Sequence, residues 1–134
     1  MNSLNITGRH LLRMMLLTAC LLLVACATTI SQNDLLKIIR EQPAQTIVDV
    51  RSSGEYATDH LPGALHIPFY SIVSGLKGVG VPQERPLYIY CEHGPRSGLA
   101  GLTLYLYGYR NVYTLEGNMK GWREHGLPVE KIHP

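Results

Sequence analysis

The stretch that decides the fold is PLYIYCEHGPRSG, residues 86–98. Its first part, 87–90, is a short apolar and aromatic run, which is typical of a buried parallel strand. A lone cysteine, Cys91, follows at once, and the chain then turns through Glu-His-Gly-Pro before Arg96 or Ser97 begins an apparent helix. A strand, a tight loop and a helix start are the parts from which proteins build anion-binding sites.

Strands and helices alternate along most of the chain. Besides 87–90, we predict strands over the β-branched run 46–50, over 64–67 between two prolines, and over 111–115. Strands that alternate with helices indicate an α/β protein, so we predict one parallel sheet with helices on both faces and right-handed crossovers. At 134 residues the chain has room for a single domain.

Helix starts and ends are marked by polar caps and glycines. Ser31 and Asp34 have the spacing of a capping box that opens a helix, and Ser53 is the predicted cap of a short second helix. Further helices are predicted over 70–76 and 119–125. After the cysteine loop, apolar residues recur at helical spacing toward a stop at Gly108, and we predict that they form the apolar face of that helix. These residues are Leu99, Leu102, Leu106 and Tyr109.

The N-terminal segment has the features of a secretory signal. Arg9 and Arg13 lie in a polar start, and residues 14–25 carry no charge. A basic start followed by an apolar run of about a dozen residues is typical of a cleaved signal peptide. A membrane-spanning helix needs roughly 20 apolar residues. An uncleaved anchor stays open as the alternative, because extension to Ile30 gives a marginal span.

The end of this segment resembles the lipobox of bacterial lipoproteins. LVAC, residues 23–26, fits the pattern in which the cysteine is lipidated and becomes the mature N-terminus. Cys20 ends a similar motif, but it leaves too short an apolar core after Arg13. We therefore predict a signal over 1–26, a linker over 27–30 and a domain over 31–134. The lipids on Cys26 would anchor the protein on the periplasmic side of a bacterial membrane, and Ala27 favours the outer membrane.

The charge of the chain excludes a nucleic-acid partner. Of the 12 Lys and Arg residues, two precede residue 26, whereas all 10 Asp and Glu residues follow it. The remaining chain is therefore near neutral and lacks the basic patch that nucleic-acid binding requires. His60, His66 and His125 have no metal-ligand spacing, so we predict neither a metal nor another cofactor.

Cys91 is the thiol that remains once the signal is removed and Cys26 is lipidated. A lone free cysteine in an oxidising compartment is usually either buried or functional. Ligands of parallel sheets bind beyond the carboxyl ends of the strands, where Cys91 stands. We expect main-chain N–H groups of residues 92–97 to converge on its sulfur, lower the pKa of the thiol and make it a nucleophile. An inert core cysteine in an ordinary turn is the alternative interpretation.

Several motifs resemble those of the rhodanese family. They are Asp49, Arg51 and Glu55 after one strand, HLPGALHIP at 60–68, the cysteine loop at 90–97, and Gly117, Gly121 and Trp122 near the end. Together they cover about residues 31–130, and short secreted rhodaneses, including the phage-shock kind, are the most similar in size. Asn118 departs from the pattern, since relatives commonly carry a second glycine there. Asparagine tolerates the left-handed backbone that such a turn requires.

The resemblance implies a sulfurtransferase that works through Cys91. The thiolate would take the outer sulfur of thiosulfate or a similar donor and hold it as a persulfide, which cyanide or a thiol acceptor would then discharge. The residues expected to bind the donor are Glu92, His93, Gly94, Pro95, Arg96 and Ser97. Those expected to support the loop are Asp49, Arg51 and Glu55, with Arg51 paired to Glu55.

Two other functions stay open. A cysteine phosphatase places five residues between its cysteine and its arginine, whereas four separate Cys91 from Arg96, and Tyr90 stands where some phosphatases carry histidine. The second alternative is a rhodanese module that carries sulfur or binds a partner without catalysis. The presence of both Cys91 and Arg96 argues against it.

Overall fold

A five-stranded parallel sheet forms the centre of the molecule. The structure is a computed structural model that describes residues 8, 10, 11, 13, 14 and 28–132. The strands are β1 (Thr28–Ile30), β2 (Thr46–Asp49), β3 (Leu65–His66), β4 (Leu87–Tyr90) and β5 (Val112–Leu115). Their order across the sheet is β1-β5-β4-β2-β3, and every pair is parallel. The helices are α1 (Gln32–Glu41), α2 (Ser53–Thr58), α3 (Ile72–Gly78), α4 (Pro95–Leu106) and α5 (Asn118–Glu124).

Both faces of the sheet are covered by helices, which confirms the predicted α/β fold. Every residue of β2 and β4 is buried. Val48 and Ile89 lie in a core formed with α3 and α4, whereas Ile47 and Tyr88 lie in a second core formed with α1 and α5. Because successive side chains of a strand point to opposite faces, a strand buried on both faces places apolar residues on each, as Ile47 and Val48 of β2 and residues 87–90 of β4 do.

Residues 28–30 form an edge strand and are not the predicted linker. Thr28 pairs with Tyr113 and Ile30 with Leu115, and the Glu116 N–H donates to the Ile30 carbonyl at 2.9 Å. This pairing covers the outer edge of β5, whose backbone groups would otherwise be unpaired. The domain therefore includes residues 28–30. The predicted signal region and Cys26 lie outside the described residues, apart from a few positions before residue 15. None of the described helices is long and apolar enough to cross a membrane.

The buried face of α4 differs from the predicted one. Of the four residues predicted to form it, Leu99 and Leu106 are 51% and 74% exposed, Leu102 is half-buried, and Tyr109, beyond the end of the helix, is buried. The residues that α4 buries are Ser97, Ala100, Gly101 and Leu104. The helix starts at Pro95, and the side chain of Ser97 points toward the cysteine loop. The residues three and four positions further along, on the same side of the helix as Ser97, therefore pack against the sheet. Small residues allow this close packing, and apolar periodicity cannot detect them.

The cap of α2 lies one residue earlier than predicted, at Ser52. The Ser52 hydroxyl accepts from the Glu55 N–H, and the Glu55 carboxylate accepts from the Ser52 N–H at 3.1 Å. This reciprocal pair is a complete capping box, which satisfies two N–H groups at the helix start. It also fixes Glu55 in the first turn of α2. Ser31 caps α1 as predicted.

Candidate active site

Cys91 lies at the carboxyl edge of the sheet, directly after β4, as predicted. The Val50 N–H donates to the Tyr90 carbonyl at 3.0 Å, and the Met119 N–H at the start of α5 donates to the Cys91 carbonyl at 3.0 Å. The loops after β2 and β5 therefore hold the cysteine from both sides. Only 1% of Cys91 is exposed, so its sulfur lies at the base of the loop.

The main-chain N–H groups of His93, Gly94 and Ser97 lie around the Cys91 sulfur, within the stretch 92–97 for which such a cradle is predicted. The Gly94 N–H donates to Sγ at 3.0 Å, and the Ser97 hydroxyl lies 3.6 Å from it. Gly94 has a φ of +118°, which glycine adopts without strain. Gly94 is the N-cap of α4 and Pro95 its first residue, and no side chain caps this helix start. The first N–H groups of α4 are thus left for an anion.

The pKa of the Cys91 thiol is lower than its ordinary value. Burial opposes ionisation, because a buried thiolate loses its hydration. Hydrogen bonds from the Ser97 hydroxyl and from the N–H groups of Ser97, Gly94 and His93 outweigh this effect. A lower pKa increases the fraction of thiolate, which is the nucleophilic form of cysteine. The side chain of His93 is exposed.

The guanidinium of Arg96 is bound by Glu55, so its terminal N–H groups are not available to the Cys91 sulfur. Its two terminal nitrogens donate to the two carboxylate oxygens of Glu55, each at 2.7 Å. This bidentate pair keeps the pKa of Glu55 well below its usual range and raises that of Arg96. The predicted pair between Arg51 and Glu55 is wrong. Glu55 supports the loop through Arg96, because the cap of α2 places its carboxylate against the first turn of α4.

Arg51 is buried beside the loop and pairs with other carboxylates. Its guanidinium donates to Asp49 at 2.7 Å and to Glu92 at 3.1 Å, and it also bonds the Asp59 main chain. Arg51 is 2% exposed and Asp49 is fully buried. Although burial opposes its charge, the hydrogen bond and the charge of Asp49 raise the pKa of Arg51. These contacts agree with the supporting role predicted for Asp49 and Arg51.

The side chain of Glu92 belongs to this supporting network and is not directed at the sulfur, contrary to the prediction. One carboxylate oxygen accepts from Arg51 and the other from Arg123 on α5. Arg123 also bonds the carboxylate of Asp59. Arg123 and Asp59 were not predicted, since no motif links residues so far apart along the chain.

Asn118 contacts both Cys91 and Ser97, and these contacts were not predicted either. Its Oδ1 accepts from the Cys91 N–H at 2.9 Å and from the Ser97 hydroxyl at 3.0 Å. The residue is 8% exposed and has a φ of +51°, the left-handed backbone that was predicted. Its position after β5, at the same edge of the sheet as Cys91, was the signal available in the sequence.

A surface groove with a volume of ≈ 420 Å³ flanks the loop. Its lining residues are Arg51, Glu55, Thr58, Asp59, Glu92 and Arg123. The charged groups among them are paired with one another or with Arg96. Across the described part of the chain, no three His, Cys, Asp or Glu side chains cluster so that they could hold a metal.

A parallel sheet with a cysteine in an N–H cradle after its central strand is the architecture of a rhodanese-like domain. The comparison with protein families agrees, because the rhodanese-like domain matches residues 31–125. The chain belongs to the rhodanese family.

Several similar proteins are named as sulfurtransferases. A sulfurtransferase of Allochromatium vinosum is 36% identical over 83 residues, which are 62% of this chain and 76% of that protein. The thiosulfate:glutathione sulfurtransferase of Saccharomyces cerevisiae is 30% identical over 108 residues, 72% of this chain and 78% of the relative. The polysulfide-sulfur transferase homodimer of Wolinella succinogenes has a TM-score of 0.67 at 31% identity, with 80% of each chain covered. The chain is therefore a sulfurtransferase-like member of the family.

Proposed function

We propose that Cys91 carries sulfur, as a persulfide, from a small sulfane-sulfur donor to a thiophilic acceptor. The observation that carries the proposal is the set of N–H groups around Sγ, with that of Gly94 at 3.0 Å. Donors fixed in this way stabilise the thiolate before the reaction and the persulfide anion after it.

The reaction consists of two displacements at sulfur. The Cys91 thiolate attacks the outer sulfur of thiosulfate, a new S–S bond forms, and the old S–S bond breaks with its electron pair leaving on sulfite. The acceptor then attacks the outer sulfur of the Cys91 persulfide. Cyanide becomes thiocyanate, or a thiolate becomes a persulfide, and the Cys91 thiolate is restored. No separate oxidant or reductant is consumed.

The depth of the sulfur supports a small donor. Because Cys91 is 1% exposed, a donor must reach Sγ with a single terminal atom, which thiosulfate and polysulfides present. The same geometry disfavours phosphatase chemistry. Arg96 is bound to Glu55 by both of its terminal nitrogens and does not encircle a tetrahedral oxyanion beside Cys91.

A thiol is the proposed physiological acceptor. The name of the yeast relative specifies thiosulfate and glutathione as that protein's substrates. In this chain the groove beside Glu92 offers room for a thiol-bearing molecule next to the loop. Its lining of alternating positive and negative side chains suits a small zwitterion of the glutathione type.

The proposal is tested by incubating the full chain with thiosulfate and cyanide and measuring thiocyanate. Thiosulfate alone should add the mass of one sulfur atom to the peptide that contains Cys91. Both signals should vanish in Cys91→Ser and persist in Cys26→Ala, the matched control. Thiocyanate formation that Cys91→Ser leaves unchanged would refute the mechanism. A persulfide that no acceptor discharges would instead indicate a non-enzymatic sulfur carrier.

We also propose that Cys26 is lipidated and holds the domain on the periplasmic side of the membrane. The support is the LVAC motif at 23–26 after an uncharged run. Labelled palmitate should be incorporated in bacteria by the wild type and by Cys20→Ala, but not by Cys26→Ala. Incorporation that survives Cys26→Ala would refute this anchor.

A further inference from the structure

The Ser97 hydroxyl carries one hydrogen and has three acceptors within reach. The Gly94 carbonyl lies 2.9 Å from Oγ, Asn118 Oδ1 lies 3.0 Å away, and the Cys91 sulfur lies 3.6 Å away. A hydroxyl can donate well to only one acceptor at a time. The two oxygens therefore compete with the sulfur for the same hydrogen, and both are closer to it.

The side-chain amide of Asn118 is oriented by a contact that allows only one arrangement. The Cys91 N–H can donate but not accept, so the Asn118 atom 2.9 Å from it is the oxygen and not the nitrogen. The same oxygen faces the Ser97 hydroxyl. Burial of Asn118 to 8% exposure holds the amide in place, because a flip would set two donors against each other.

We propose that Asn118 is a positioning residue that competes with the Cys91 sulfur for the Ser97 hydrogen and so restrains ionisation of the thiol. The inference rests on the proposed role of Cys91, but it concerns the thiol itself and not turnover. The contacts of the Ser97 hydroxyl with the two oxygens weaken its contribution to the sulfur, and main-chain N–H groups such as that of Gly94 supply the rest of the stabilisation. The Ser97 hydroxyl becomes a second, adjustable donor.

The Asn118 side chain is not a partner of the charged groups around Cys91. Those on the loop and on the elements packed against it are Asp49, Arg51, Glu55, Asp59, Glu92, His93, Arg96, Lys120 and Arg123. None of them is bonded to the Asn118 side chain. A substitution of Asn118 therefore leaves this charge distribution in place, and a change in thiol ionisation reports on the hydrogen of Ser97.

The test measures the rate at which iodoacetamide alkylates Cys91 as a function of pH, read by mass spectrometry of the Cys91 peptide from the full chain. Asn118→Gly removes Oδ1 and keeps the turn, because glycine adopts a φ of +51° readily. One of the two competing oxygens is then lost and the Gly94 carbonyl remains, so the pKa of Cys91 should fall by no more than about half a unit. Asn118→Asp keeps the shape but adds a carboxylate, and it should raise that pKa by more than about one unit.

Ser97→Ala supplies the decisive control. Without the hydroxyl there is no hydrogen to share, so Asn118→Gly should leave the pKa of Cys91 unchanged in the Ser97→Ala background. An equal shift in both backgrounds would overturn the proposal, since Asn118 would then act through the Cys91 main chain alone. An unaltered pKa in Asn118→Gly alone would overturn it as well. Because alkylation needs no sulfur donor or acceptor, its outcome is separate from the test of sulfurtransferase activity.

Discussion

Two loops at the same edge of the sheet lead into helices, and the N–H groups at the two helix starts donate to different kinds of acceptor. After β2, Ser52 and Glu55 close a capping box, so that the chain satisfies its own donors. After β4, Gly94 begins α4 with no side-chain cap, and the N–H groups are directed to the Cys91 sulfur. A helix start becomes an anion site when the side chain that would cap it is missing.

The two loops also differ in where their charge lies. The loop after β2 carries a buried ion pair between Asp49 and Arg51, whereas the loop after β4 surrounds its sulfur with neutral main-chain dipoles. Damage to the first loop should therefore reduce stability, and damage to the second should reduce the reactivity of Cys91. Three substitutions test this division.

The largest effect is expected from Arg51→Met. It leaves the fully buried Asp49 carboxylate without its partner, which typically costs 3–5 kcal/mol, so the free energy of unfolding should fall by about that amount. Arg123→Met is the matched control, because its guanidinium is partly exposed and such pairs contribute less than about 1 kcal/mol. Urea denaturation of both variants measures the difference. Equal losses would show that the buried pair has no special role.

Gly94→Ala should have the next largest effect, and mainly on reactivity. An alanine at a φ of +118° is strained by about 1–2 kcal/mol, and relief of the strain moves the N–H that donates to Sγ. Alkylation of Cys91 near neutral pH should slow about tenfold. Gly63→Ala carries similar strain at a φ of +72° in open space away from the loop. It should lose stability but keep the reactivity of Cys91, and slowing in both variants would contradict the comparison.

The smallest effect concerns the acid dependence of stability. The pKa of Glu55 is lower in the folded chain than in the unfolded chain, so its pair with Arg96 stabilises the fold above the unfolded pKa of about 4.3 and is lost as the pH falls. Glu55→Gln should therefore flatten the decline in unfolding free energy between about pH 5 and pH 3. The difference should stay below about 1 kcal/mol, because the pair is one-third exposed.

Glu124→Gln is the control for this pH dependence. Glu124 lies 3.8 Å from Lys120 in an exposed pair on one helix, and its removal should leave the slope close to that of the wild type. Identical slopes in the wild type and Glu55→Gln would contradict the contribution assigned to the pair with Arg96.

The strands and the cradle could be predicted from the sequence because local patterns determine them. The centre of β2 and the whole of β4 are apolar or aromatic since both faces of these strands are buried, and a glycine three residues after the cysteine at the end of β4 allows the tight loop. The partners of Arg51 could not be predicted in this way. Glu92 and Asp59 reach it only because distant segments meet at one edge of the sheet.

Small and polar residues account for the other differences. The buried face of α4 contains Ala100 and Gly101, whereas the larger Leu99 and Leu106 are exposed, so hydrophobicity alone indicated the wrong face. Asn118 was interpreted from its backbone conformation only. The function of its side chain depends on the position of β5 beside β4, which the order of the strands decides.

The short strand β1 determines how the domain can be trimmed or tethered. Removal of everything before Ser31 would remove β1 and leave the backbone groups along one edge of β5, residues 112–115, unpaired. A strand of a second chain could then pair with this edge. Thr28 lies two positions after Cys26, a span of about 7 Å at full extension. A domain acylated at Cys26 would therefore lie close to the bilayer, and its orientation relative to the membrane would be restricted.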